Sequence, residues 1–288
     1  MSEIDLHTHT TASDGTCTPS ELVSQAVAVG LRAIAVTDHD TLQGLPEACA
    51  AGKDKGLEVI PGCELSVEFP QGSMHILGLW IPARPKHLQD TLDYLTKLRQ
   101  QRNETILANL HAAGVPITYA ELTATATGTT IGRPHIAQLL VRKGVARDLP
   151  DAFINWLRPG TKGYAPKAKL APRDAILALK NEGATVILAH PCTLKQDHAD
   201  LEETIKKLKD MGLDGVESIY SMHSQAQTNA YAAICKKLGL LESAGSDFHG
   251  TNKPNIHLGR GKGGLRASYV LLERMKAYRQ GLGLPAHI

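Results

Sequence analysis

The sequence predicts an α/β barrel of about seven βα units, somewhat distorted, with a helical insertion. Three observations carry this. Short apolar, β-branched runs alternate with helix-length segments. Histidines and carboxylates recur at the edges of those runs. The alternation stops between residues 100 and 168, where consecutive short helical patterns contain no convincing strand.

Taken in order, EIDLH (3–7) is the first strand and PSELVSQAVAVG (19–30) the first helix. RAIAVT (32–37) and LPEACAAGKDKG (45–56) form the next pair, and LEVIPG (57–62) and MHILGL (74–79) are two further strands. QQRNETILANLHAAG, AELTATATG, HIAQLLVRKG and LPDAFINWL then make up the helical stretch. RDAILALKNEG (173–183) returns to strand ATVILAH (184–190), and ADLEETIKKLKDMG (199–212) to DGVESI (214–219). AQTNAYAAICKKLG (226–239) precedes the last strand, LLESAG (240–245). Several helices stop at glycine, the residue favoured just past a helix end. Such alternation implies parallel strands with helices outside. The expected division is a barrel over 1–99 and 169–288, with 100–168 as a helical insertion capping the active site.

Composition narrows the function. The 288 residues are 42% hydrophobic and 21% charged, as in ordinary globular proteins, so disorder is not indicated. No run approaches the ~20 apolar residues of a membrane span, and MSEIDLH lacks the basic start and apolar stretch of a secretory signal. A cytoplasmic protein with no membrane partner is expected. Five cysteines, odd in number and without CxxC spacing, read as reduced thiols rather than disulfides or a thiolate zinc site. A net charge of +2 is too mild for a duplex DNA binder.

His7 and His9 close the first strand, Asp38 and His39 the second, and Glu64 follows the third in PGCEL. His75 starts the fourth, His190 closes the fifth in LAHP, and Asp247 and His249 follow the last in GSDFHG. Parallel barrels gather their strand C-termini on one face, so most of these side chains converge. Alternate residues of a strand share a side, so His7 and His9 can hold one ion while the SDG turn returns Asp14 over the mouth. Imidazole and carboxylate without thiolate suit Mn²⁺, Fe²⁺ or Zn²⁺, and the donors exceed the needs of one ion. Two or three divalent ions are expected, Mn²⁺ foremost. Asp5, Asp38 and Glu217 are expected to orient the ligand imidazoles.

DLHTHTTASDG, VTDHDT, PGCELS, HILG, AHP and GSDFHG, in this order along nearly the whole chain, resemble the signatures of the PHP (polymerase and histidinol phosphatase) family of metal-dependent phosphoesterases. The resemblance implies a distorted (β/α)7 barrel with a trinuclear centre. It assigns His7, His9, Glu64 and Asp247 to one ion, with Glu64 bridging to a second held by His75 and His190, and Asp14, His39 and His249 to a third. Some members carry histidine where this chain has Asp14. IGRPHIAQLLV (131–141) and ESIYSMHS (217–224) offer Arg133, His135 and His223 to a phosphate. On its own Arg133 reads as a surface arginine in a helix's first turn. Within the family pattern the chain is similar to the bacterial subgroup that removes the 3′-phosphate of nucleoside 3′,5′-bisphosphates and trims short RNA from its 5′ end. The resemblance thus implies a small nucleotide substrate, with short single-stranded RNA as a second. It makes Glu64, Asp247 and His223 catalytic, His223 as a candidate proton donor to the leaving group. Histidinol-phosphate phosphatase activity and a non-catalytic, metal-stabilised module are the other readings. No amino-alcohol pocket is evident for the first, and the full ligand complement opposes the second.

Overall fold

The structure is a computed structural model, in which residues 2–125, 131–166 and 168–286 are described. Its elements are β1 (Ile4–Thr8), α1 (Pro19–Ala28), β2 (Ala33–Val36), α2 (Leu45–Lys55), β3 (Glu58–Val67), β4 (Met74–Leu79) and α3 (Leu88–Ala112). There follow α4 (Tyr119–Thr123), α5 (Arg133–Arg142), α6 (Leu149–Ala152), α7 (Pro172–Lys180), β5 (Thr185–Leu188) and α8 (His198–Asp210). Last come β6 (Gly215–Tyr220), α9 (Gln225–Leu238), β7 (Leu241–Gly245) and α10 (Tyr269–Gly281). The sequence reading assigns nothing to α10, and part of its AELTATATG helix, 126–128, lies outside the described residues. Among the described residues no helix is long and apolar enough to cross a membrane.

The chain forms two compact units, Met1–Gln89 with Leu170–Ile288, and Asp90–Lys169. In the first, the seven strands neighbour one another in sequence order. The ring closes where Thr8 bridges Phe248 and the Asp247 N–H donates to the His7 carbonyl at 2.9 Å. All neighbours run parallel except that β4 is antiparallel to both β3 and β5. This corrects the expectation of uniformly parallel strands. The link 68–73 between β3 and β4 is too short for a crossover, which takes a dozen or more residues, so the chain turns back as a hairpin. Reversal puts the start of β4, with His75, at the end where the other strands finish. β3 also runs to Val67, so Glu64 sits within it rather than after it.

Ile4, Leu6, Ala33, Ile60, Leu77 and Ile187 from the strands pack with Leu272 and Met275 of α10 in one apolar cluster. A second joins α1 and α2 to β2 through Leu22, Val23, Ala26, Ala48, Ile34 and Val36. Local signals start the helices. Thr18 caps α1 and is answered by Glu21, and Ser224 caps α9 and is answered by Gln227. Gly56 and Gly239 end α2 and α9 at positive φ. The second unit has its own core, including Ile106, Leu110, Leu122, Ile136, Leu140 and Leu157.

Candidate metal centre

Glu64 is fully buried on β3, and five imidazoles surround its carboxylate. Oε2 lies 3.2 Å from His7 Nε2, His9 Nε2 and His39 Nδ1 alike. Oε1 lies 2.8 Å from His75 Nδ1 and 3.1 Å from His190 Nε2. Asp247 adds Oδ1 at 3.3 Å from His9 Nε2, and Asp14 Oδ1 is 3.2 Å from His249 Nε2. Three groups have ligand-capable atoms within 4.8 Å of one another: His7, His9, Glu64 and Asp247; His39, Glu64 and His75; His9, Asp14, His39 and His249. His190 reaches the second through Glu64. His9 and His39 each fall in two groups, a sharing the sequence reading does not contain.

His7 Nε2, both nitrogens of His9, His39 Nδ1 and Glu64 Oε2 are buried and make no hydrogen bond among the described residues. Their separations suit hydrogen bonds; the angles do not, as for lone pairs aimed at a shared point. Five orphaned atoms in one dry spot would be costly unless a common partner satisfied them. Divalent metal ions fit this donor set of nitrogen and oxygen without sulfur.

Three of these rings have one nitrogen held and the other turned inward. His7 Nδ1 meets Glu217 Oε1 at 3.0 Å, His190 Nδ1 meets Thr193 Oγ1 at 3.0 Å, and His249 Nδ1 meets the Asp247 carbonyl at 2.9 Å. Such contacts fix tautomer and orientation. Of the three expected orienting carboxylates, only Glu217 touches an imidazole among the described residues. Asp38 accepts from the Thr10 N–H at 2.8 Å and from the Thr10 and Ser13 hydroxyls at 2.7 and 2.6 Å, tying down the turn that carries Asp14. Asp5 accepts from the Ser246 and Gly259 N–H groups, both at 2.8 Å. Both carboxylates hold backbone.

Burial alone would raise the Glu64 carboxyl, yet His39, His7 and His75 hold it well below the usual carboxylate range. Burial opposes charge on His9, but Asp247 and Glu64 outweigh it and bring the ring up to about 9. His7 is likewise raised, by Glu217 and Glu64. At His39 burial outweighs the pull of Glu64 and Asp14, and the ring drops to about 3. His190 at φ 28° and Asp247 at φ 57° adopt backbone conformations that non-glycine residues avoid, strain of the kind found at functional sites.

Two neighbours escape sequence reading. The Tyr220 hydroxyl donates to Asp247 Oδ2 at 3.0 Å, and Lys253 Nζ lies 2.6 Å from the same oxygen. Tyr220 stands inside a quoted motif, but nothing in its spacing marks it, and Lys253 follows in an irregular loop. His223 lies between the Tyr220 and Tyr231 rings, 5.1 and 4.8 Å away. Its Nδ1 meets the Ser218 carbonyl at 3.0 Å. A carbonyl can only accept, so Nδ1 carries the proton and the buried Nε2, which has no partner among the described residues, is an acceptor in the neutral ring. Burial also lowers the pKa of this ring.

Arg133 and His135 belong to the helical unit, both on α5. His135 Nδ1 accepts the Gly132 N–H at 3.2 Å, closing the helix start. The Arg133 guanidinium meets the Leu157 carbonyl at 3.4 Å and lies 5.9 Å from the Phe153 ring. Arg102, absent from the sequence reading, is buried nearby and donates to the Ala165 carbonyl at 2.9 Å; burial first, then Arg133, lowers it to about 10. Neither arginine has a carboxylate partner among the described residues.

Residues 5–146 match the model of the PHP domain family. The chain is 34% identical to the 5′-3′ exoribonuclease Rnm of Salmonella typhimurium, across 89% of its own length and 88% of that protein. It is 33% identical to a 3′,5′-nucleoside bisphosphate phosphatase of Chromobacterium violaceum, across 86% and 88%. Among solved structures, one assigned as a metal-dependent phosphoesterase of Bifidobacterium adolescentis superposes with a TM-score of 0.85 at 31% identity, covering 96% of both chains.

Proposed function

The chain belongs to the PHP domain family, and on that premise we propose that it is a metal-dependent phosphatase converting nucleoside 3′,5′-bisphosphates to nucleoside 5′-monophosphates. The observation that carries the proposal is the single buried carboxylate shared by convergent histidine clusters. His7, His9, Glu64 and Asp247 would hold one ion, Glu64, His75 and His190 a second, and Asp14, His39 and His249 a third, Mn²⁺ foremost and Fe²⁺ or Zn²⁺ as alternatives. Bound there, divalent ions supply charge neutralisation at phosphorus and water of lowered pKa.

The protein's own groups divide the remaining work. Glu64 and Asp247 set the position of the reacting phosphate through the donors they fix. His223, its Nδ1 proton committed to Ser218, accepts a hydrogen bond from substrate rather than donating a proton. Arg133, with His135 beside it, reads the second phosphate: a part-buried guanidinium with no carboxylate partner among the described residues is built for an anion, and its fork suits phosphate better than an ammonium does. A cytoplasmic setting is supported by the free state of all five cysteines.

A charge-assisted hydrogen bond contributes about 1.5–3 kcal/mol. Arg133→Ala should therefore lower kcat/KM on a nucleoside 3′,5′-bisphosphate by roughly 10- to 150-fold, and far less on a plain phosphate monoester. Arg133→Lys should restore part of the loss. Equal losses on the two substrates would assign Arg133 to the reacting phosphate or to the fold.

A second reading, 5′→3′ exoribonuclease action, is favoured by the identity to the Salmonella protein. It needs no new chemistry. Cleaving the bond from phosphorus to the 3′-oxygen releases a nucleoside 5′-monophosphate whether the phosphate is terminal or continues into a strand.

A further inference from the structure

Asp247 divides its two carboxylate oxygens between different surroundings. Oδ1 faces imidazoles, 3.3 Å from both His9 Nε2 and His249 Nδ1 and 3.7 Å from His7 Nε2. Oδ2 instead accepts from the Tyr220 hydroxyl at 3.0 Å and from Lys253 Nζ at 2.6 Å. Glu64 differs, since both of its oxygens lie among imidazoles. The two groups on Oδ2 are themselves held. The Tyr220 ring is flanked by those of His190 and His223, with centroids 5.3 and 5.1 Å away. Lys253 closes the turn Gly250–Asn252, its N–H donating to the Gly250 carbonyl at 3.2 Å. That turn is tied to the loop carrying Asp14: the Thr251 N–H donates to Thr16 Oγ1 at 2.9 Å, and the Asn252 amide to the Asp14 carbonyl at 2.8 Å. The Lys253 side chain is 39% exposed, so water is open to its ammonium, yet the ammonium sits on Asp247.

We propose that Tyr220 and Lys253 are positioning residues that restrict Asp247 to ligation through one oxygen, and that the centre thereby favours Mn²⁺ over Ca²⁺. The inference rests on the metal-centre reading above and adds how the centre tells one ion from another. Ca²⁺ takes about six to eight oxygen ligands in flexible geometry, often two of them from one carboxylate. An ion satisfied by imidazoles and single carboxylate oxygens needs no second oxygen from Asp247. With Oδ2 committed to a hydroxyl and an ammonium, a calcium ion meets one oxygen where it would take two, in a site already rich in nitrogen. Partners of this kind orient the groups that bind the metal and tune its affinity. A lysine that only neutralised a buried carboxylate would serve every divalent ion alike, and it would not need a second donor on the same oxygen.

The test is a competition on the full chain, loaded with Mn²⁺ after chelation and titrated with Ca²⁺ in the absence of substrate, with released Mn²⁺ read from its electron paramagnetic resonance signal. The Ca²⁺ concentration that displaces half of the Mn²⁺ gives the ratio of the two affinities. A purely structural role, which weakens both ions together, leaves this ratio where it was. In the double variant Tyr220→Phe, Lys253→Met the half-displacing concentration should fall by roughly 10-fold, the scale of effect seen when an outer partner of a metal ligand is removed. Tyr220→Phe alone loses one hydroxyl and no charge, and it should move the ratio in the same direction by less. Lys253→Arg, which keeps a cationic donor, should stay near the wild type. An unchanged ratio in both the double variant and Tyr220→Phe would overturn the proposal and leave Lys253 as a counter-ion, and so would a fall in Lys253→Arg as large as in the double variant. Wild-type protein that bound no Mn²⁺ would instead strike the metal-centre reading itself.

Discussion

Glu64 has five imidazoles within 3.2 Å of its two oxygens, and no other side chain in the centre serves so many. Glu64→Gln keeps the shape and removes the charge, so it should lower metal content and reduce activity by more than roughly 100-fold, beyond what losing an outer partner costs. Elemental analysis beside turnover checks this; two retained ions with near-normal rates would show that the carboxylate is not shared. Asp14, 26% exposed at its side chain and facing His249, is the outermost donor. Asp14→His should raise occupancy of the third position, and unchanged metal content would make Asp14 a turn residue only. The candidate ligands were legible because they stand at strand ends, where the period of two and the barrel's polarity place them together. Their supports were not. Asp38 binds a turn rather than a ring, and Tyr220 and Lys253 meet Asp247 only through folding of segments with no repeating pattern.

At the level of elements, six strands were legible in identity and direction from apolar runs bounded by turns. The seventh, β4, was found but misdirected. The signal was present in the short 68–73 link, which decides direction by its length and not by the residues of the strand. α10 stayed hidden because it is flanked by glycine-rich chain and has no following strand to complete the alternation. At the join between β7 and β1, a Cβ on Gly245 would meet the His7 Cβ and come within 2.7 Å of Glu217 Oε1. Gly245→Ala should therefore displace both the ligand and its orienting carboxylate. A destabilisation of about 1–3 kcal/mol from overpacking is expected in urea unfolding, with parallel loss of bound metal. Full metal retention in this variant would mean that the join is looser than it stands.

For the whole molecule, a centre held by six strands around a ring couples metal binding to stability. An ion at 100 times its Kd adds about 2.7 kcal/mol, so chelation should lower the Tm by several degrees. The sign of the pH effect follows from the rings. His9 near 9 and His7 above its usual range are protonated at pH 7 without metal, and ligation must displace those protons. Adding metal to chelated protein at pH 7 should therefore release protons, and retention should weaken as pH falls. The central claim, hydrolysis at the 3′-phosphate by this centre, is tested most directly by product analysis in heavy-oxygen water. With Mn²⁺-loaded protein and adenosine 3′,5′-bisphosphate, the account predicts adenosine 5′-monophosphate free of label and inorganic phosphate carrying it, both lost in Glu64→Gln. Formation of adenosine 3′-monophosphate, label in the nucleotide, or undiminished turnover by Glu64→Gln would contradict it.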